Sequence, residues 1–150
     1  MICFDDLNVN DRFVTPARTV TESDIGMFAG LTGDFNDNHM NDEASKKKFG
    51  GRIAHGMLIV TLTRGLMFRA GLVGQTPETA FLGISEISFK NPVKIGDTIH
   101  VECIVKGLTE DQKEASCGTV LFGCNVINQN DVVVQHDIFQ VLLRKKEVKQ

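Results

Sequence analysis

Residues 54–73 read AHGMLIVTLTRGLMFRAGLV, and apolar side chains fall on nearly every face of that stretch when it is wound as a helix. A surface helix keeps one polar face, so the pattern predicts a long helix over 54–73 that is buried on all sides. It does not read as a membrane span. Arg64 and Arg69 interrupt it, each at a cost of about 2.5–3.5 kcal/mol on insertion scales, and the uncharged run before Arg64 is short. Such a helix needs something concave to wrap it.

The residues that follow supply the wrapping. From residue 80 the period changes: Ser85, Ile87 and Phe89 alternate with Glu86, Ser88 and Lys90, and the turn-forming NPVKIGD comes next. Further strands are predicted over 99–105, 116–127 and 132–143, parted by GLTEDQKE and NQND, both rich in turn formers. Val101, Cys103 and Val105 then share one strand face. Upstream, Thr21 and Asp24 make a T-x-x-D start signal, Ile25, Phe28 and Ala29 recur at helical spacing, and Gly30 and Gly33 stop the pattern. Asn41, Asp42 and Glu43 precede Lys46, Lys47 and Lys48 with Gly50 behind them, acid first and base last, as the dipole of a second short helix prefers. The expected fold is α+β, one domain over 1–150, with four long antiparallel strands curled around a single apolar helix.

Composition narrows the function. Sixteen Lys and Arg against nineteen Asp and Glu give a net charge of −3, the wrong sign for a surface that tracks phosphates, so nucleic acid is not an expected partner. Cys3, Cys103, Cys117 and Cys124 form no CxxC pair and no zinc-ligand spacing with His, which argues against a metal site or a disulfide framework. Residues 1–10 are acidic and lack a continuous apolar core, so no secretory signal is read there and a reducing cytoplasm is the expected compartment. Trp and Tyr are both absent. Chemistry must come from Asp, Glu, His, Cys, Lys or Arg.

The densest polar cluster is GDFNDNHMNDE, from Gly33 to Glu43. Asp34 and His39, five apart in a link between two helices, can bring a carboxylate and an imidazole to one small volume, an acid/base pair that works near neutral pH. Gly56 opens the long helix, whose free N–H groups and positive dipole end would stabilise an oxyanion. Each residue also has a plainer reading: Asp34 in an Asx turn, Asn36 bonding the loop backbone, His39 as a hydrogen-bonded loop residue. His55 shapes the turn into the long helix, Lys46–Lys48 form a solvated helix end, and Arg64 reaches solvent or a carboxylate at a subunit interface. Cys117 or Cys124 beside His136 could make a nucleophile, but their strand positions favour burial. His100 carries no usable signal.

FAGLTGDFNDNH, the downstream Ala54-His55-Gly56-Met57, and FLGISEISFKNPVKIGDTI from Phe81 to Ile99 together resemble the MaoC-like, (R)-specific enoyl-CoA hydratases, in order and over almost the whole chain. The resemblance implies the hotdog fold, a curved antiparallel sheet around a central helix. It implies a hydro-lyase in which Asp34 and His39 are catalytic, Gly56 contacts the thioester carbonyl, and Asn36 orders the loop or binds substrate. Water would add reversibly and syn to a trans-2-enoyl-CoA, with Asp34 as base and His39 as acid in roles that coupled groups can exchange. A homodimer or dimer of dimers is implied, with no redox or metal cofactor, since the CoA thioester is itself the substrate. Alternatives are a dehydratase acting on an acyl carrier protein, a hotdog thioesterase, and a non-catalytic acyl-thioester binding module. The family has Pro and an aliphatic residue where this chain has Asp37 and Asn38. That departure should loosen the loop, and a second carboxylate facing inward would raise the Asp34 pKa.

Overall fold

A computed structural model of the chain describes residues 2–111 and 114–146. Six strands form one antiparallel array: β1 (Arg12–Val14), β2 (Arg18–Thr19), β3 (Ala80–Phe89), β4 (Thr98–Glu110), β5 (Cys117–Ile127) and β6 (Val133–Arg144). Their order is β1-β4-β5-β6-β3, with β2 also paired to β4. The four long strands are those expected from the sequence. β1 and β2 are additional, at three and two residues too short to show a period; Thr15, between them, accepts the Val101 N–H through Oγ1.

Four helices precede the long strands or separate β2 from β3: α1 (Glu22–Thr32), α2 (Asp37–Met40), α3 (Asp42–Phe49) and α4 (Gly56–Arg69). Thr21 and Asp24 exchange side-chain and backbone bonds to start α1, and Gly33, at φ 78°, ends it, a left-handed conformation that glycine adopts without strain. Asn41 caps α3 and Gly50 closes it at φ 73°. α2 was not expected: the link between the first two helices contains a helical turn of its own.

The long helix is α4, and two expectations about it are corrected. It spans 56–69 rather than 54–73, because His55 has extended geometry at its start and Gly71, at φ 74°, turns the chain after Ala70. It is also not buried on all sides. Leu58, Ile59, Leu62, Leu66 and Met67 pack into the sheet, while Met57, Thr61, Gly65 and Phe68 form an open stripe on the far face. The reason is geometric: a single curved sheet wraps only one side of a helix. The hotdog arrangement stands, with Val101, Cys103 and Val105 of β4 sharing the inward face as expected, beside Val120, Phe122 and Val126 of β5.

β4 runs on to Glu110, so GLTE is strand and not part of the connection. A bulge between Val105 and Gly107 resets the register with β5 and lets the pairing continue. On β6 the inward face carries two polar groups, Gln135 and Asp137, whose side chains bond at 2.6 Å while Gln135 Oε1 and Asp137 Oδ1 lack partners among the described residues. Burial pushes the Asp137 carboxyl above its ordinary pKa. β3 lies at the sheet edge and keeps Phe81, Leu82, Ile87 and Phe89 exposed. Among the described residues no helix is long and apolar enough to cross a membrane.

Candidate active site

The loop after α1 sets the first group. The αL turn at Gly33 sends the chain back on itself, and Asp34 follows, exposed, with Oδ1 accepting the Asn36 N–H at 3.2 Å. The Asx contact anticipated as the plain reading is thus present, and the carboxylate keeps its other oxygen. Asn36 caps α2 by accepting the Asn38 N–H at 2.9 Å, so its side chain is spent on the loop. Asp37 and Asn38 form the first turn of α2. Asp37 is exposed at a helix N-terminus, where its charge is favoured. The Asn38 carbonyl accepts from the Ile53 N–H at 3.1 Å and from the buried Ser45 hydroxyl at 3.0 Å, and Ser45 Oγ also lies 2.7 Å from the Gly51 carbonyl. These bonds hold the segment that was expected to be loosened by the loss of proline.

Residues 53–55 hold the second group. His39, on α2, places Nδ1 2.8 Å from the Ile53 carbonyl. A carbonyl only accepts, so Nδ1 carries a proton and donates it, which leaves Nε2 free for the site. His55 stacks on His39, with ring centroids 3.8 Å apart, and its Nε2 lies 2.9 Å from the Asp34 carbonyl. One polar atom each from Asp34, His39 and His55 lie within 4.8 Å of one another. A gap of up to that size between the Asp34 carboxylate and the His39 ring is one that a single water can bridge.

The same three residue types are metal ligands, but their geometry does not suit one. Imidazole lone pairs lie in the ring plane, and with 27° between the stacked rings those of His39 and His55 do not converge at a metal–nitrogen distance of about 2.0–2.1 Å. The arrangement suits proton transfer.

Gly56 supplies the third group. It opens α4, and its N–H has no partner among the described residues. A Cβ there would stand 2.6 Å from the Phe89 ring, so only glycine lets that ring lie over the helix start. Two hollows, about 360 Å³ and 310 Å³, meet at His39, Gly56 and Phe89. The smaller includes Asp34 and Phe28, and the larger runs toward Ile59, Val134 and Gln135.

The other candidates lie elsewhere. Cys103, Cys117 and Cys124 are buried thiols, and hydrogen bonding to Cys103 with burial raises the Cys124 pKa, the reverse of a nucleophile. His136 points to the opposite face of the sheet, bonded to Asn125 at 2.7 Å. Lys46–Lys48 are a solvated helix end. Arg64 lies half-buried on the open side of α4 with no ion pair among the described residues, and desolvation lowers its pKa. Sequence reasoning missed Ser45 and Phe89, and gave His55 only a turn-shaping role. Serine in a helix and phenylalanine at a strand end carry no motif, but the adjacency of His55 to Gly56 was a signal in plain view.

The profile of the MaoC like domain matches residues 8–125. The chain is 38% identical over 107 residues to protein MaoC of Klebsiella aerogenes, covering 71% of this chain and 31% of that one, so it matches under a third of that relative. It is 39% identical over 111 residues to an (R)-specific enoyl-CoA hydratase of Rhodospirillum rubrum, covering 73% and 74% of the two chains. The crystal structure of the MaoC-like dehydratase from Rhodospirillum rubrum superposes with a TM-score of 0.86 at 29% identity, over 99% of this chain and 100% of that one. Asp34, His39 and Gly56 thus stand together at the head of the wrapped helix in a chain that belongs to the MaoC-like domain family, whose matched relatives include hydratases and dehydratases.

Proposed function

We propose that the protein is an (R)-specific enoyl-CoA hydratase that adds water reversibly to trans-2-enoyl-CoA. The observation that carries this reading is the convergence of the Asp34 carboxylate, the His39 ring and the unpartnered Gly56 N–H around two joined hollows. A thioester carbonyl oxygen at the Gly56 N–H gains negative charge, helped by the dipole of α4, and C3 becomes electrophilic. Water held between Asp34 and His39 gives its oxygen to C3 and a proton to one of the pair, while the other supplies a proton to C2. The C2=C3 π bond is consumed, one C–O and one C–H bond form on the same face, and the product is the (R)-3-hydroxyacyl thioester. Asp34 serves as base and His39 as acid in the forward direction, the His39 ring carrying a second proton on Nε2 while its Nδ1–H stays on the Ile53 carbonyl. A second copy of the chain along β3 is part of the same reading, since the edge strand is long and its apolar side chains are exposed.

The test is hydration of crotonyl-CoA, followed by loss of enoyl absorbance with a free-thiol assay and chiral product analysis on the same sample. Loss without thiol release, yielding the (R)-alcohol, is expected. Thiol release would make the protein a thioesterase, and the absence of turnover on crotonyl-CoA and longer enoyl thioesters would leave a binding role. Turnover confined to an acyl carrier protein thioester would change the carrier and leave the chemistry intact.

A further inference from the structure

His55 is the one imidazole beside the pair to which the hydration chemistry gives no step. It occupies the N-cap of α4, where Ser, Thr, Asp or Asn would satisfy a free amide of the first turn, yet its side chain makes no capping bond. It is 2% exposed, so the helix start forgoes a cap to keep a buried ring there.

That ring touches both members of the pair. The Asp34 carbonyl only accepts, so His55 Nε2 carries the proton and donates at 2.9 Å. The other bonds recorded for Asp34 are longer, 3.3 Å from its N–H to Thr32 Oγ1 and 3.2 Å from the Asn36 N–H to its carboxylate. They are also local to the loop, whereas the His55 bond ties Asp34 to the residue that precedes Gly56. This contact therefore ties Asp34 itself to the residue before the carbonyl-polarising N–H, beside the bonds that join Ile53 to Asn38 and His39 further along the loop. The His55 ring meanwhile stacks on His39, and Phe28 packs against it with centroids 5.0 Å apart.

We propose that His55 is a positioning residue: its Nε2–H fixes Asp34 relative to Gly56, and its ring fixes the plane of His39, so that carboxylate and imidazole face one water. The activity part of this inference rests on the hydratase reading, whereas the geometry does not.

Two substitutions separate the role from folding. His55→Asn installs a good helix cap but is too short to reach the Asp34 carbonyl, and His55→Gln returns an amide N–H near the position of Nε2. With crotonyl-CoA, the Asn variant is expected to be folded, with kcat lowered about 30- to 100-fold and KM within about threefold, as for a site misplaced by roughly an ångström. The Gln variant should recover about tenfold of that loss. By proton NMR, the His39 ring signals, moved upfield by the stacked ring, should shift downfield in both variants. A folded Asn variant within about threefold of wild-type kcat would overturn the proposal, as would equal loss in folded Asn and Gln variants, or His39 signals that do not move. Should the wild type hydrate no enoyl thioester, the hydratase reading fails by itself, and the His39 signals decide the positioning role alone.

Discussion

Replacing Asp34 by Asn removes one charge and one proton acceptor while leaving the loop its hydrogen bond, because an amide oxygen can still accept the Asn36 N–H now bonded at 3.2 Å. Asp34 is exposed, so the substitution should change folding stability by no more than about 0.5 kcal/mol. Loss of a positioned general base costs about 10²- to 10⁴-fold. At 1.36 kcal/mol per decade this is about 2.7–5.4 kcal/mol in the barrier, several times the expected stability change. The assay is crotonyl-CoA hydration by enoyl absorbance, where the lack of Trp and Tyr keeps the protein background low, alongside a thermal melt. Asp37→Asn is the internal control: it removes a carboxylate three residues away that lies exposed at the first position of α2. It should cost about 0.3–1 kcal/mol of stability through the helix dipole and leave kcat within about threefold. An Asp34→Asn protein that keeps more than a tenth of wild-type kcat would refute the assignment. Equal losses in the two variants would refute the reading of which carboxylate faces the water.

Three further outcomes are expected. Ser45→Ala strips the hydroxyl that lies at 3.0 and 2.7 Å from the Asn38 and Gly51 carbonyls, so stability should fall by about 1–3 kcal/mol in denaturant melts and kcat should fall with it. Asp137 is held above its unfolded pKa by burial, so the native state keeps a proton that the unfolded chain has already lost; that cost is absent at pH below the unfolded value and grows as pH rises toward the folded one. Asp137→Asn should therefore raise the melting temperature at pH 7, with the gain shrinking below about pH 4, and an equal effect at both pH values would contradict the cause given. Light scattering should give twice the chain mass, and Ile87→Lys on β3 should lower it toward a monomer; an unchanged dimer would place the contact elsewhere.

Much of the fold was legible because its signals are periodic. The alternation on β4, the T-x-x-D start at Thr21 and the glycines at 33 and 50 each state a local geometry that tertiary packing did not override. What was illegible was set by partners distant in sequence. Whether α4 is wrapped on one face or all of them depends on sheet curvature, and β1 and β2 exist only because β4 is long enough to pair with both. The site shows the same division. Asp34, His39 and Gly56 could be singled out from residue type and spacing. The bonds from Ile53, the hydroxyl of Ser45 and the ring of Phe89 could not, since each acts across a gap that no local pattern encodes.

The run from Ile53 to His55 has a consequence for how the molecule breathes. Its groups fasten Asn38, the His39 ring, Val93 and Asp34 in succession, so the loop that carries Asp34 and His39 cannot lift without breaking bonds that also anchor the start of α4. Active-site lids are ordinarily drawn from the least stable part of a protein. Here the amide protons of Ile53 and Ala54 should exchange with deuterium on the timescale of global opening, far more slowly than those of the 128–131 turn. Access to the two hollows then falls to side-chain motion, with the half-exposed Phe89 ring as the part able to swing, while the backbone around Asp34, His39 and Gly56 holds still.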